Sequence, residues 1–286
     1  MYTAKIENEL GEILTLTGQE PVYQVLEIQG LNPPPAQINN TSIAGMDGAL
    51  FNSSKLNTRN IVIYIKINGD ADTNRLRLYR FFSTKNWCKF YYKNSKLDVA
   101  IEGRVEVADC NPFNEEEIAQ ISIICPQPYF KSIDEIVEDF NNVTALFTFP
   151  FSIDENSPVV ISEIDPNKGT DVDNASDTSV GAVIHLLFYQ AASTAAVFNV
   201  STAKHIGLSY AFLPGDEVFI NTNSGSKSVR LLRGGQYRSI FPALTPESTF
   251  FQLQPGINQI EYLINGVSAP DRARLEFSFF YAYKGV

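Results

Sequence analysis

The sequence is poor in the residues that most often do chemistry. Its 286 residues include three cysteines, two histidines and one tryptophan. The signatures of a serine hydrolase, a zinc protease and a phosphate-binding loop are all absent. One of the histidines, His185, lies inside the apolar stretch VIHLLF, which predicts a packed or edge residue. We therefore expect no enzyme activity, no cofactor, no metal site and no catalytic residues.

The cysteines give no framework for a disulfide or a metal. Cys88, Cys110 and Cys125 are odd in number, all lie in the first half and form no CxxC pair. A disulfide-stabilised scaffold would need a denser, even set. Three cysteines without nearby histidines also make a poor zinc site. They are predicted to be buried thiols in a chain that folds in a reducing cytosol.

Long apolar runs are missing as well. The N-terminal residues lack the basic region and apolar run of a signal peptide. No apolar stretch approaches the ~20 residues that a membrane helix needs. The sequence thus predicts neither secretion nor a membrane segment.

Positive charge is scarce and unevenly spread. The formal net charge is -10, and residues 134–177 hold eleven acids against one base, Lys168. The two flanking parts are close to neutral. A nucleic-acid-binding protein needs a basic stripe to neutralise phosphates, and none is visible. We expect no stable binding to nucleic acid.

What the sequence does contain is β-strand patterning. Hydrophobic residues make up 44% of the chain, with 20 Phe and 13 Tyr, which favours a globular, strand-rich protein. Residues 59–67 (RNIVIYIKI) alternate, with Ile61, Ile63, Ile65 and Ile67 on one face. Residues 21–32 predict another strand, which ends at a turn on Gly30. The proline run that follows predicts an extended excursion over 31–58.

One helix is predicted, over residues 73–85. Asp72 or Thr73 would cap it, and Leu76, Tyr79 and Phe82 would line its buried face. Arginines on the remaining surface fit either a solvated face or a contact between subunits. These are Arg75, Arg77 and Arg80.

The rest of the first half predicts a hairpin and a closing strand. Lys93-Asn94-Ser95-Lys96 forms the hairpin turn. The strand after it should place alternate apolar residues on one side, namely Leu97, Val99, Ile101, Val105 and Val107. Residues 119–125 predict a further strand, ended by Pro126 and Pro128.

A boundary between two domains is expected within 130–145. Residues 132–142 are acidic and predict a short helical turn, so we divide the chain into domains 1–135 and 136–286. Many short strands separated by Gly, Pro and Asn then favour a β-sandwich. They are predicted near 144–149, 159–164, 181–189, 206–212, 217–222, 228–232, 248–253, 258–264 and 273–283. Residues 165–179 read as an acidic loop.

Four features of possible functional interest each have a plainer explanation. Asp171, Asp173 and Asp177 could collect calcium, but the glycine and distal glutamate of an EF-hand are missing, which favours a solvated loop. Adjacent strand positions point Asp216 and Glu217 to opposite faces. Gly234-Gly235 opens no helix that would cradle a phosphate. Trp87 fits core or interface packing better than a sugar-stacking platform.

Several segments distributed over most of the chain form one set with a defined order and spacing. The first half contributes RNIVIYIKINGD, NRLRLYRFF, IEGRVE, the Asn111-Pro112-Phe113 turn and AQISIICPQPYF. The second half contributes the FPF segment at 149–151, PGDEVFINTNSGSKSV and FFQLQPGINQIEY. No single segment is specific, but their order and spacing are, and together they resemble the distal tail proteins of long-tailed bacteriophages (siphoviruses). The 154–180 and 31–58 stretches depart from the family pattern.

This resemblance implies a mostly β protein of two domains. The N-terminal domain would combine a β-sandwich, a helix and a β-hairpin and would close a homo-hexameric ring. The C-terminal domain would be a β-sandwich like those of galectins and carbohydrate-binding modules. Proteins of this family are structural hub components of the tail tip, next to the tail tube protein, the tape measure protein and the tail-associated tip protein. They anchor receptor-binding or fibre proteins.

The expected location is therefore the tail tip of a virion, after folding and assembly in the cytoplasm of a bacterial host. The competing hypothesis is a carbohydrate-binding adhesin, whose second domain contacts a cell-wall sugar directly. A ring is oligomeric, whereas a simple lectin need not be, so solution mass separates the two. The residues that bind partners stay unknown at this stage.

Overall fold

The computed structural model describes residues 2–17, 22–114, 116–140, 143–145, 162–164, 170–266 and 272–286. Two compact units are present, one made of Met1–Ile133 with Ala282–Val286 and the other of Asp134–Tyr281. Residues 146–149 and 159–161 of the two predicted strands, the FPF segment at 149–151 and residues 165–169 lie outside the described residues.

The described residues are mostly β, with a single α-helix, α1 (Ala71–Phe81). The strands before the second unit are β1 (Thr3–Asn8), β2 (Ile13–Thr15), β3 (Tyr23–Gln29), β4 (Ala36–Thr41), β5 (Leu50–Leu56), β6 (Arg59–Ile67), β7 (Trp87–Lys93), β8 (Asp98–Cys110), β9 (Ile118–Cys125) and β10 (Phe130–Ser132). Those of the second unit are β11 (Ile136–Asp139), β12 (Val143–Ala145), β13 (Ser162–Ile164), β14 (Thr170–Asn174), β15 (Val183–Phe188), β16 (Ala192–Asn199), β17 (Lys204–Phe212), β18 (Glu217–Asn221), β19 (Ser228–Arg233), β20 (Gln236–Ser239), β21 (Gly256–Ile264) and β22 (Ala273–Phe279). The last strand, β23 (Ala282–Tyr283), returns to the first unit.

The first unit is built on one antiparallel sheet. Its strands run in the order β2-β1-β7-β8-β9-β6-β3, with β10 attached to β8 and β23 attached to β10. The predicted alternation of β6 is confirmed, because its four isoleucines face the core. Leu78 of helix α1 and Phe82, the residue that caps its C-terminus, pack into the same core. Strands β4 and β5 form a separate two-stranded hairpin within the predicted excursion.

Helix α1 differs from the sequence prediction of 73–85. It begins two residues earlier, and Asp70 caps it by accepting from the Thr73 N–H, at 3.4 Å. The choice of Asp72 or Thr73 as the cap was therefore wrong. The buried stripe is Leu78 and Phe82, four residues apart, whereas Leu76 is 53% exposed. The predicted stripe was spaced by three residues twice in succession, and because a helix turns once every about 3.6 residues, such positions do not stay on one buried face.

A β-bulge explains a second difference. The register of β8 against β9 shifts between Val105 and Val107. A bulge inserts one residue and turns the following side chains to the other face. Val99, Ile101 and Val105 are buried as predicted, but Val107 is exposed.

The second unit contains two larger sheets. One has the strand order β11-β22-β15-β18-β19-β20 and the other β14-β21-β16-β17. Their buried residues contact one another across the core: the Phe188 and Phe212 rings stack with centroids 4.3 Å apart, and the Tyr262 hydroxyl donates to the Ala273 carbonyl at 3.0 Å. This is the predicted sandwich architecture.

Several boundaries in the second half were wrong. The acidic residues 132–142 contain strand β11, paired with β22, where a helical turn was predicted. The acidic stretch read as a loop contains strand β14. Residues 248–253 form no strand beyond a single bridge, Val180 to Leu253. Residues 273–283 are two strands, β22 and β23, which belong to different units.

The division of the chain differs in detail from domains 1–135 and 136–286. The first part of this unit ends at Ile133, and the unit also includes the last five residues of the chain. Whether each part folds alone stays a prediction.

Candidate interaction surfaces

The β4–β5 hairpin, which we call the arm, is the most exposed element of the first unit. Every residue of β4 and β5 is exposed except Leu56. Side-chain hydrogen bonds tie its strands together, from Asn39 to Ser53 at 3.0 Å and from Asn52 to Thr41 at 2.6 Å. It nonetheless carries large apolar side chains in solvent, namely Ile38, Ile43, Met46, Leu50 and Phe51.

The apolar residues of the arm lie on both of its faces. Ile38 and Asn40 lie on the same face of β4, and the shifted register pairs Asn40 with Phe51. Phe51, at 65% exposure, therefore shares the face of Ile38, whereas Leu50 lies on the opposite face. Nothing in the described part of the chain covers either face. An isolated two-stranded hairpin is marginally stable in water, so the arm has the character of a segment that needs a partner.

The base of the arm is rigid. Gly30, just before it, has φ +84°, and a Cβ there would lie 2.0 Å from the Asn60 carbonyl oxygen. The backbone at position 30 therefore lies so close to β6 that a residue with a Cβ atom would not fit there. On the far side, the Asn57 N–H donates to the Pro35 carbonyl at 3.1 Å and closes the hairpin.

A buried arginine holds this base. Arg59 is 1% exposed and donates to the carbonyls of Asn32 at 2.7 Å, Pro128 at 2.8 Å and Lys284 at 2.5 Å. It also donates to the Gly30 carbonyl, and its guanidinium lies 4.5 Å from the centroid of the Phe130 ring. Burial lowers the pKa of Arg59. One side chain thus connects the root of the arm to the segments on which the chain leaves and re-enters the first unit.

Arg59 belongs to no functional motif, but the strand pattern of the sequence does indicate its burial. Arg59 has the same parity as the four buried isoleucines of β6, so the alternation alone places it inward. A charged residue at an inward position is rare and needs partners. The carbonyls that satisfy it come from distant segments, which no local pattern reveals.

The outward face of the six-stranded sheet carries a row of aromatic and charged side chains. His185 stacks on Phe219, with ring centroids 4.5 Å apart and planes 3° from parallel. The His185 Nε2 atom lies 2.9 Å from a Glu217 carboxylate oxygen. Tyr237, which is 60% exposed, lies beside Phe219, and the Arg230 guanidinium lies over the Tyr237 ring.

This row follows from strand alternation. His185 is packed, as predicted, but on the outward face of a central strand, since its neighbours Ile184 and Leu186 face the core. Glu217 points outward and Asp216 inward, as the sequence predicted. The pattern could have revealed the face, but the pairing of β15, β18, β19 and β20 was needed to bring its rings together.

The other candidate residues take structural positions. Asp171 and Asp173 lie on the outward face of β14, and Val172 and Asn174 face the core. Within the described residues, no group of three or more His, Cys, Asp or Glu side chains could hold a metal ion. Gly234-Gly235 is the two-residue turn of the β19–β20 hairpin, with φ of +58° and +76°. Trp87 is half-buried on the outward face of β7.

Arg75 is not part of a solvated face. Its guanidinium contacts both oxygens of Glu117, at 2.7 Å each, and also pairs with Asp72. Hydrogen bonds to Glu117 and Asp72 raise the pKa of Arg75. Arg77 and Arg80 are exposed on α1.

Two motifs that carried the family resemblance specify turns. In PGDE, the buried Asp216 accepts from Arg233 Nε at 2.7 Å and from the Leu213 N–H at 2.8 Å. In PGINQIEY, the fully buried Asn258 exchanges hydrogen bonds with the Gln254 backbone, at 2.7 and 2.8 Å. A second buried amide, that of Asn199, donates to Asn258 at 3.1 Å. Buried amides require such partners, so these residues fix the fold.

No helix in the described ranges is long and apolar enough to cross a membrane.

Comparison with known proteins supports the same family. Residues 175–281 match the family model described as "Siphovirus-type tail component, C-terminal domain". No curated protein matches the sequence. Among solved structures, the fold is similar to that of the SPP1 Dit protein, described as a paradigm of the hub adsorption apparatus in phages infecting Gram-positive bacteria, with a TM-score of 0.68 and 17% identity over 97% of this chain and 99% of that one. A chain of the phage P2 baseplate gives a TM-score of 0.49 and 14% identity over 97% and 98%.

The similarity to the distal tail protein family that the sequence motifs predicted is therefore confirmed. The family model covers residues 175–281, which is the larger part of the second unit, and the similarity to SPP1 Dit extends the common fold over almost the whole chain.

Proposed function

We propose that this chain, a relative of the distal tail proteins of siphoviruses, is a structural hub component of a phage tail tip that closes a hexameric ring through its first unit. The ring would join the tail tube to the tip proteins and anchor receptor-binding or fibre proteins. It would be assembled in the host cytoplasm and carried at the end of the virion tail. The family is a structural one, and we propose no catalytic role.

The observation that carries this proposal is the arm. It holds five large apolar side chains in solvent on a hairpin with no core of its own. A cyclic ring requires a heterologous interface, in which one surface of a subunit meets a different surface of the next. A projecting arm with a rigid base, held by Arg59, suits one side of such an interface.

The ring is tested by light scattering and negative-stain microscopy at tens of micromolar. The expected result is a hexamer. Changing Leu50→Ser together with Phe51→Ser should shift the mass toward the monomer without lowering the unfolding temperature. Ile257→Ser is the matched control, because it removes an apolar side chain that is 67% exposed on the second unit. A wild-type protein that stays strictly monomeric, alone and with a tail tube partner, would contradict the proposal.

The second unit is proposed to dock a receptor-binding or fibre protein. The rings of His185 and Phe219 stack on one another and so offer little open face to a sugar. Sugar sites need an open aromatic platform flanked by polar groups. Modest contacts at each subunit would be strengthened by multivalency around the ring.

One observation favours the alternative, a carbohydrate-binding adhesin. Tyr237 is 60% exposed and has polar neighbours. A glycan array with the full-length protein separates the two hypotheses. We expect no specific saccharide to bind. Specific binding that Tyr237→Ser abolishes would instead establish the adhesin.

A further inference from the structure

The tripeptide Ile-Asn-Gly occurs twice in the chain, at residues 67–69 and 264–266. In a flexible chain, an asparagine before glycine loses its side-chain amide easily, because glycine leaves its backbone nitrogen unhindered. Both copies end a strand, β6 in the first unit and β21 in the second. The sequence around the reacting atoms is the same, so any difference in reactivity must come from the fold.

The second copy is held in place. The Asn265 side-chain oxygen accepts hydrogen bonds from the Ser193 N–H at 2.8 Å, the Ser193 hydroxyl at 3.1 Å and the Thr194 N–H at 3.2 Å. Its own backbone N–H donates to the Thr194 carbonyl at 3.0 Å. Three donors on one oxygen fix the orientation of the carboxamide. Rotation of that group toward the Gly266 nitrogen would break all three bonds.

In the first copy, the backbone of the asparagine is anchored but its side chain is free. The backbone of Asn68 is anchored, since its N–H donates to Val22 and its carbonyl accepts from the Asn74 side chain, both at 2.8 Å. Within the described part of the chain, its carboxamide makes no hydrogen bond, and neither does the Gly69 N–H. Gly69 is exposed and has φ +78°. The two reacting groups can therefore approach one another.

We propose that Asn68 is a site of spontaneous deamidation in the folded protein and that Asn265, in the same tripeptide, is protected by its hydrogen bonds. The Gly69 nitrogen attacks the side-chain carbonyl carbon of Asn68 and loses its proton. A C–N bond forms, the amide nitrogen leaves as ammonia, and a cyclic imide remains. Water then opens the ring at either carbonyl, giving aspartate or isoaspartate at position 68.

The modified position lies at the start of helix α1. Asn68 is two residues before Asp70, whose carboxylate caps the helix. Isoaspartate routes the main chain through the side-chain carbon and lengthens it by one methylene. That displaces Asp70 from the Thr73 N–H and weakens the cap. The product should therefore unfold at a lower temperature than fresh protein.

The test incubates the folded full-length chain at 37 °C and mildly alkaline pH and follows both tryptic peptides by mass spectrometry. The readouts are the mass change from amide to acid and the labelling of isoaspartate by its methyltransferase. A parallel sample is kept unfolded in urea. The variant Asn68→Gln, in which a longer side chain closes the imide poorly, serves as the negative control.

In the folded protein we expect Asn68 to react about tenfold faster than Asn265 or more, since each hydrogen bond to be broken adds to the barrier at Asn265. In urea the two rates should converge. Equal rates in the folded protein would overturn the proposal. A faster reaction at Asn265 would overturn it as well, because it would mean that the three donors activate the carbonyl.

Discussion

Arg59 is a single residue on which three separate segments of the first unit depend. The carbonyls that it satisfies belong to the root of the arm, to the segment before β10 and to the residue that follows β23. A buried carbonyl left without a donor is costly, at about 1–3 kcal/mol for each unsatisfied group. The guanidinium of Arg59 thus satisfies carbonyls that would otherwise each need a separate local donor.

Replacing Arg59→Met should therefore lower the free energy of unfolding by about 3 kcal/mol or more. The C-terminal residues should also become accessible to carboxypeptidase, since Lys284 loses its donor. Urea unfolding and timed digestion measure the two effects. Arg104→Met is the control, because Arg104 is exposed and donates to one carbonyl, that of Lys85. Equal losses for the two variants would contradict this role for Arg59.

The three cysteines should be inert in the folded protein. Burial raises the pKa of Cys88 and of Cys125 to about 12, and that of Cys110 is raised by burial and by the Glu117 carboxylate. A thiol reacts as its thiolate, so a raised pKa suppresses alkylation at neutral pH. Iodoacetamide should label none of the three in the native chain and all three in urea. A Ser95→Cys variant, exposed in a hairpin turn, should label at once.

The same shifts predict sensitivity to alkaline pH. The folded pKa of Cys88 and Cys125 lies above the ordinary thiol value of 9.0. Their stabilising contribution is complete below pH 9.0 and is lost as the pH rises toward about 12.

At the scale of one element, Asp216 locks the turn between β17 and β18. Burial alone would raise its pKa, but hydrogen bonds from Arg233 and from the Leu213 N–H lower it below the ordinary 3.8. Its ionised form therefore stabilises the fold above that value, and the contribution is lost as the pH falls through the folded pKa.

Asp216→Asn should cost about 2 kcal/mol at neutral pH, because it leaves Arg233 without its counter-charge. Glu217→Gln, at the next residue but outward-facing, should cost less than about 1 kcal/mol. Chemical unfolding at neutral and acidic pH measures both. The difference between the wild type and Asp216→Asn should shrink below pH 3.8. A difference that persists unchanged in acid would show that packing, and not charge, stabilises the turn.

Regular elements with one buried face could be read from the sequence, and elements with mixed composition could not. The alternation of β6 and the turn at 93–96 predicted their structures directly. Strand β14 was missed because Asp171, Asp173 and Asn174 are typical of loops; Asn174 is buried only because its amide donates to the Leu253 and Thr178 carbonyls. Thr178 is four residues away, but Leu253 is 79 residues away and is brought to Asn174 by the tertiary fold.

The candidate interaction surfaces could likewise be predicted only in part from the sequence. The apolar residues of the arm are visible in the sequence, yet their exposure depends on the hairpin standing apart from the core. The outward row of His185, Phe219 and Tyr237 required the strand order of the sandwich. Parity along a strand gives the face of a residue, but only pairing gives its neighbours.

At the scale of the whole molecule, the chain passes from the first unit to the second and back again. It leaves at residue 133 and returns at residue 282. The last five residues then complete the first unit: β23 pairs with β10, and the Val286 N–H donates to the Leu31 carbonyl at 3.1 Å. The second unit is thus an insertion between β10 and β23, although its family model is that of a C-terminal domain.

This topology predicts that deleting residues 282–286 destabilises the unit at the other end of the sequence. The deletion removes strand β23 and the Lys284 carbonyl that Arg59 binds. Calorimetry should show the transition of the first unit at a lower temperature and that of the second unchanged. The fragment 134–281 should fold cooperatively and melt with that unchanged transition. If the fragment is unfolded, or if the deletion lowers both transitions together, the two units share a core and the proposed independence is wrong.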